Sequence, residues 1–327
     1  MPKYIGLDLG GTNIKAGVTD EQGHVLSKVS IPTEAENGPD VVITNMARAA
    51  RMVTEQAKIK MSQVDYVGVG APGPIDFDQG VVRMAPNLPG WTNIPLQGRI
   101  AEELGRPAML ENDGNAAAFG EYWAGAGRQS DKDVKHLIML TLGTGVGSGL
   151  VVNGKVVHGA DGNAGEGGHI IVQPNGRQCG CGQRGCLETY GSASYTGQRA
   201  AEAVRDSTEE TSLRPPFDKG DKITAKMVFD HAKAGDKLAQ RIVEETVMYL
   251  SIGCVTLCRL FDPQLIVFAG GMILAGDFLF DQLRAEFHRQ SWRILKDHVE
   301  IVPSTLGNDA GFIGAAAVAW DAHQNHR

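Results

Sequence analysis

The sequence predicts an α/β protein built from two related halves. Strand-length apolar runs alternate with segments of helical periodicity along its 327 residues. A pattern of strand, Gly/Thr turn, strand, turn, strand occurs twice, at 3–31 and again at 136–157. At roughly 100–200 residues per domain, the length itself suggests about two domains.

The elements follow in order. Residues 3–9 form an apolar strand ending in Gly10-Gly11-Thr12, and 14–19 form a second strand. Asp20-Glu21-Gln22-Gly23 is a turn, and 25–31 is a third strand. Between 39 and 60, Val42, Met46, Ala49, Ala50, Val53 and Ala57 recur at helical spacing. Residues 64–70 read as a short buried strand; Pro72, Pro74, Pro86, Pro89 and Pro95 then predict a loop-rich stretch. A helix over 96–104, a strand over 108–111 and an Ala-rich helix over 115–126 complete the first half. The second half opens with a strand at 136–142, the turn Gly143-Thr144-Gly145-Val146-Gly147, a return strand at 149–152, the hairpin signal Asn153-Gly154 and a strand at 155–157. Residues 159–191 are glycine-dense and hold three cysteines. Helices fit 192–204, 225–234, 237–260, 278–290 and 309–320, and strands fit 264–269 and 299–302. Residues 206–221, polar and containing Pro215-Pro216, are expected to be a flexible surface segment.

Composition narrows the function. The net charge of −7, with no Lys/Arg cluster, argues against nucleic-acid binding through a basic face. No apolar run reaches the ~18 residues of a membrane span, and the N-terminus lacks a signal peptide's apolar region, so a cytoplasmic location is expected. Five cysteines in a reducing compartment are not expected to form a disulfide framework. Glycine is the outlier, 42 of 327 against a usual ~7%, and 15 of the 42 lie between 143 and 191.

The chemistry-bearing residues cluster at strand ends. In Asp8-Leu9-Gly10-Gly11-Thr12, glycines let successive N–H groups converge on an anion, Thr12 adds a hydroxyl, and Asp8 could hold Mg²⁺ directly or through water. Gly143, Thr144 and Gly145 offer the same chemistry again. Neither turn fits the Walker loop, and the second leads into a strand, unlike a dinucleotide fingerprint. One such turn alone reads equally well as a hairpin; two in matching contexts point to phosphate. Asp113, where a strand meets a helix, is a candidate general base, although spacing alone favours reading it as a helix N-cap. His169 with Cys179, Cys181 and Cys186 makes a closed Cys₃His set suited to structural zinc. Cys254 and Cys258, four apart on an apolar helix, read as core. Lys15 could reach phosphate but reads better as solvated, and Gly270-Gly271 could be an ordinary strand-to-helix turn.

Taken together, DLGGT, TLGTGVG and FAGG resemble the phosphate-1, phosphate-2 and adenosine elements of the actin-like ATPase superfamily. ENDGNA (111–116) and the segment from Glu166 to Glu188 resemble the E-N-D-x-N-A and E-x-G-H … C-x-C-G-x-x-G-C-x-E motifs of its ROK family of repressors and sugar kinases. Gly114 stands where that family often has Ala. The resemblance covers Gly6 to about Ala319. It implies an α/β, two-domain actin-like ATPase (ribonuclease H-like) fold with a nucleotide/sugar cleft between the domains and a zinc-binding loop. A small domain at 1–113 would be joined by a closing helix at about 309–327, and a larger domain would span 114–308. The implied activity is ATP-dependent hexose phosphorylation, glucose first, with N-acetylmannosamine, N-acetylglucosamine or fructose as alternatives. Asp113 would be the base. Gly73, Asn87, Asn112, Asp113, Glu166, His169 and Glu188 would contact sugar. Asp8, Gly10, Gly11, Thr12, Gly143, Thr144 and Gly145 would serve Mg·ATP phosphates, with Gly270 and Gly271 against adenosine. His169 would serve zinc and sugar through its two ring nitrogens. A sugar-responsive repressor is the alternative of another class, disfavoured because with the first phosphate turn at Gly10 no DNA-binding module is expected upstream. A homodimer or higher homo-oligomer is the implied assembly.

Overall fold

The computed structural model describes residues 1–85, 87–292 and 299–325. The first half runs β1 (Lys3–Leu9), β2 (Asn13–Asp20), β3 (Val25–Pro32), α1 (Pro39–Gln56), β4 (Tyr66–Ala71), β5 (Ile75–Asp76), β6 (Val81–Met84), β7 (Thr92–Ile94), α2 (Leu96–Leu104), β8 (Ala108–Asn112), α3 (Asp113–Trp123) and α4 (Ala126–Gln129). The second runs β9 (Leu137–Leu142), β10 (Val146–Val152), β11 (Lys155–Val156), α5 (Glu188–Gly191), α6 (Ala193–Asp206), α7 (Arg214–Asp218), α8 (Ala225–Lys233), α9 (Lys237–Phe261), β12 (Leu265–Ala269), α10 (Asp277–Gln290), β13 (Glu300–Pro303) and α11 (Ala310–Asn325). Residues 326–327 of the expected closing helix lie outside the described residues.

Two five-stranded sheets have the orders β3-β2-β1-β4-β8 and β11-β10-β9-β12-β13. Each therefore follows one topology, which is the repeat the sequence shows as two matching strand–turn–strand segments. The short strands β5-β6-β7 form a third sheet within the proline-rich stretch read as loop. Prolines there interrupt the chain without preventing antiparallel pairing of the two- to four-residue pieces between them.

The chain forms two compact units. One comprises Met1–Leu137, Gly149–Gly165 and Ser304–Arg327; the other comprises Ile138–Ser148 and Glu166–Pro303. The first unit extends past the expected boundary at Asp113, because α3 packs along α11. Small residues permit that contact. A Cβ on Gly314 would lie 1.8 Å from the Ala116 carbonyl oxygen, and one on Gly6 or Gly68 would lie 1.7 Å from a carbonyl oxygen of α11. Part of the glycine excess thus serves helix-on-sheet contact rather than ligands. On α1, Val42, Met46, Ala49 and Val53 are fully buried, as their helical spacing predicts. The fully buried Glu121 ties the C-terminal segment to α3: its carboxylate accepts from Ala126 N (2.9 Å), Thr305 N (3.0 Å) and Leu306 N (2.9 Å).

In the second unit, Cys254 and Cys258 are buried on α9 as expected. Residues 206–221 are not a free surface segment. Leu213 is fully buried, α7 forms within them, and Asp236 accepts from Thr211 Oγ1 (2.8 Å) and Ser212 N (2.6 Å) while capping α9 through Ala239 N (2.8 Å). The anchor is fifteen or more residues downstream, beyond the reach of a local composition rule. Among the described residues no helix is long and apolar enough to cross a membrane.

Candidate active site

In the first unit the candidate residues converge on the C-terminal ends of parallel strands. Register pairs Asp8 of β1 with Gly70 of β4, and Gly70 with Glu111 of β8. Strand ends in such sheets face ligands, since side chains and helix N-termini meet there. Gly70 carries no side chain between its neighbours; a Cβ there would lie 3.8 Å from Asp113 Cα. Asp8 is mostly buried. Burial pushes its carboxyl up, Lys15 pulls against this and Asp113 adds to it, and the result is a rise from 3.8 to about 6. Lys15 is opposite Asp8 in the β1–β2 register and donates to Asn308 O (3.0 Å), so it is a tethered neighbour of the site rather than a freely solvated lysine.

The Gly10–Thr12 turn is fixed from outside. Gly10 N donates to Asn13 O (3.1 Å), Thr33 N to Thr12 O (2.9 Å), and Thr33 Oγ1 to Gly10 O (2.7 Å). Gly11 and Thr12 are exposed, and a Cβ on Gly11 would lie 3.7 Å from Asn87 O, so the turn and the exposed Asn87 are brought together.

The start of α3 bears on the capping reading of Asp113. Asn112, not Asp113, is the N-cap: its Oδ1 accepts from Gly114 N (2.9 Å) and Asn115 N (3.3 Å). Asp113 is exposed at the first helical position, with Oδ1 2.8 Å from Gly114 N. Asn112 Nδ2 also donates to Gly73 O (3.4 Å). Gly73 has φ 95°, and a Cβ there would lie 1.9 Å from Met84 O, so only glycine suits this place.

In the second unit, Gly143–Gly145 closes β9 with Gly143 N donating to Gly145 O (3.0 Å). Glu188, at the start of α5, lies across this turn, with Oε2 accepting from Val146 N (3.1 Å) and Oε1 3.6 Å from Cys179 Sγ. A Cβ on Gly145 would lie 2.1 Å from that carboxylate. Glu188 thus joins the turn to the cysteine loop, a link no spacing rule reveals. Gly270, with φ 88°, sits against the end of β9; a Cβ there would lie 2.4 Å from Leu142 O. Beside Gly271 is a mainly apolar cavity of about 310 Å³, lined by Ala193, Thr224, Ala225, Phe229 and Met272. Its size and lining suit a planar heterocycle. The sequence reading missed its residues on α8, whose amphipathic pattern signals only packing.

His169, Cys179, Cys181 and Cys186 present donor atoms all within 4.8 Å of one another. His169 Nδ1 is 3.7 Å from Cys179 Sγ, and Cys181 Sγ is 3.6 Å from Cys186 Sγ. Burial, then the Cys181 and Cys179 sulfurs, push the Cys186 thiol up to about 12. Three thiolates can share this space only with a cation among them, and Cys₃His is a zinc donor set, so the residues fit that ion. Glu166 is exposed one turn before His169; Gly167 N donates to Ser148 Oγ (2.7 Å), and a Cβ on Gly168 would lie 1.9 Å from Val146 O, which fixes this turn on β10.

Glu111 and His158 were not singled out by the sequence, although an acid ending an apolar strand is a visible signal. Glu111 is 3% exposed, and His158 Nε2 is 2.7 Å from its Oε2. Burial pushes the imidazole down; the bond and charge of Glu111 more than offset this and leave it above its ordinary value.

Two sheets of one topology, each with a Gly/Thr turn at its first strand end, together with a Cys₃His loop, define a protein of the actin-like ATPase class. Within that class the chain belongs to the ROK family, which its sequence matches over residues 4–322. It is 39% identical to a glucokinase of Thermotoga maritima over 97% of this chain and 98% of that one. Its fold is similar to that of a ROK hexokinase from Thermus thermophilus (TM-score 0.84, 35% identity, 99% of each chain). It is also similar to a ROK family glucokinase from Streptomyces griseus in complex with glucose and AMPPNP (TM-score 0.75, 32% identity, 98% of this chain and 99% of that one).

Proposed function

We infer that this ROK family protein is an ATP-dependent glucokinase that transfers the γ-phosphoryl group of Mg·ATP to the 6-hydroxyl of glucose. The observation that carries the reading is Asp113: an exposed carboxylate that opens α3 at a parallel strand end, directly after the Asn112 N-cap and within electrostatic reach of a second carboxylate whose proton affinity is raised. The similarity to glucokinases at 32–39% identity over nearly the whole chain supports glucose as the first substrate.

Asp113 accepts the proton of the sugar's primary hydroxyl as that oxygen attacks the γ-phosphorus in line. Asn112 orients the sugar while its carbonyl oxygen caps α3, so substrate contact and base position share one side chain. Asn87, Glu166, His169 and Glu188, with the Gly73 backbone, take the remaining hydroxyls. The Gly10–Thr12 and Gly143–Gly145 turns, whose Gly10 and Gly143 N–H groups are engaged within them, receive phosphate oxygens through their remaining N–H groups, and Gly270-Gly271 with the adjoining apolar cavity receives adenosine. Mg²⁺ supplies charge neutralisation on the phosphates when bound; Asp8, an oxygen donor beside Asp113, would hold it directly or through water. The Cys₃His loop would hold a structural Zn²⁺, since four protein donors leave no open position. Zinc held by Nδ1, the ring nitrogen beside Cys179 Sγ, would fix the His169 ring and leave Nε2 for the sugar. We read the assembly as a homodimer or higher homo-oligomer working in the cytoplasm.

The test is a coupled ATP-consumption assay across glucose, mannose, fructose, N-acetylglucosamine and N-acetylmannosamine. Glucose should give the highest kcat/KM. A preference for an acetamido sugar would overturn the glucose assignment, and no turnover with any of them would overturn the kinase reading.

A further inference from the structure

The turn that carries Asp113 is held by a buried acid for which the phosphoryl transfer itself gives no use. Glu111 Oε1 accepts from Asn112 N (2.9 Å) and from Asn115 Nδ2 (3.1 Å), and Oε2 meets His158 Nε2 at 2.7 Å. One carboxylate therefore grips the residue before Asp113 and the residue two beyond it. His158 lies in the loop after β11, and its ring is tilted onto Phe77 with centroids 4.0 Å apart. All of these residues belong to the first unit.

A buried carboxylate with every oxygen engaged is confined to one rotamer; removing one partner leaves an oxygen unpaired and releases it. A base must meet its hydroxyl within hydrogen-bond reach, and misplacement by about 1 Å costs on the order of a hundredfold. Asp113 is exposed, and its Oδ1 accepts from the backbone N–H of Gly114 (2.8 Å), so its aim follows the backbone of this turn. The constraint must come from the backbone on either side, which is what Glu111 grips.

We propose that the Glu111–His158 pair is a positioning device for the reaction: His158 holds Glu111 in the rotamer that fixes the Asn112–Asp113 turn and thereby aims the base. Neither residue touches the reacting atoms. The inference rests on the reading of Asp113 as the base of a sugar kinase.

The test compares His158→Ala with His158→Gln, whose side-chain amide still donates to Glu111 Oε2. Two quantities are read: the amide ¹H–¹⁵N resonances of Gly114 and Asn115, both bonded to the Asn112 cap, and the kinetics with glucose and ATP. His158→Ala should displace both resonances and lower kcat roughly tenfold to a hundredfold, with KM for ATP within about twofold. His158→Gln should restore most of both. Unmoved resonances in His158→Ala would overturn the proposal, as would moved resonances with an unchanged kcat. If the wild-type protein phosphorylates no hexose while the resonances still move and return, the kinase reading falls and control of the turn by His158 stands.

Discussion

Replacing Asp8 with Asn keeps the shape of the side chain and removes its charge. In the fold the Asp8 carboxyl is pushed from 3.8 to about 6, by burial first, against Lys15 and with help from Asp113. At about 1.4 kcal/mol per pH unit, the ionised carboxylate costs the folded chain at most about 3 kcal/mol at neutral pH. The sign follows from proton binding. Between 3.8 and about 6 the folded state holds the Asp8 proton more tightly than the unfolded chain does. Stability from this group is therefore greatest below that window, falls as pH rises through it, and is constant above it. Asp8→Asn should then be the more stable protein at about pH 8 by up to about 3 kcal/mol, with the difference shrinking below pH ~6 and vanishing near pH ~4. Urea unfolding of both proteins across this range, in EDTA, measures it. On the function proposed above, the same variant should lose most of its turnover, because the charge that destabilises the fold would be the one offered to Mg²⁺. No stabilisation at high pH, or a difference that grows on acidification, would refute the reasoning.

Asp113→Asn should lower kcat on the order of 10²-fold or more while glucose still binds, as turnover and glucose titration would show; near-normal kcat would remove the base assignment. Cys181→Ser should lose most of the roughly one zinc ion per chain expected by metal analysis, and should raise KM for glucose through the loosened His169; full zinc content would count against the donor set. Glu121→Ala should destabilise the protein by about 3 kcal/mol or more in urea, since three backbone N–H groups lose their buried acceptor, and a loss under about 1 kcal/mol would contradict that account.

Much of the architecture was legible because it is written in local periodicity. The spacing of Val42, Met46, Ala49 and Val53 announces α1, and the apolar runs before Gly10 and Gly143 announce β1 and β9. Two segments carry more structure than their sequence announces, because distant partners decide it. The pieces around Pro74 and Pro86 look like loop until β5, β6 and β7 pair, and 206–221 look free until Asp236 binds them. Asp113 shows the same limit within the site. A carboxylate opening a helix is ambiguous in sequence, and only the structure shows that the N-cap of α3 is Asn112.

Glycine, the outlier in composition, divides along this line. Its place in the turns 10–11 and 143–145 and in the cysteine loop follows from the sequence, as do the four metal donors, because a turn and a chelate loop are made by near neighbours in the chain. That Gly6, Gly68 and Gly314 make room for α11, that Asp8 lies within electrostatic reach of Asp113, that Glu188 spans a turn and a thiol, and that Glu111 grips both flanks of Asp113 were decided only by the tertiary structure. Strand register, close packing and desolvation act between residues far apart in the chain, and they determine which of the polar groups visible in the sequence are buried, paired and aimed.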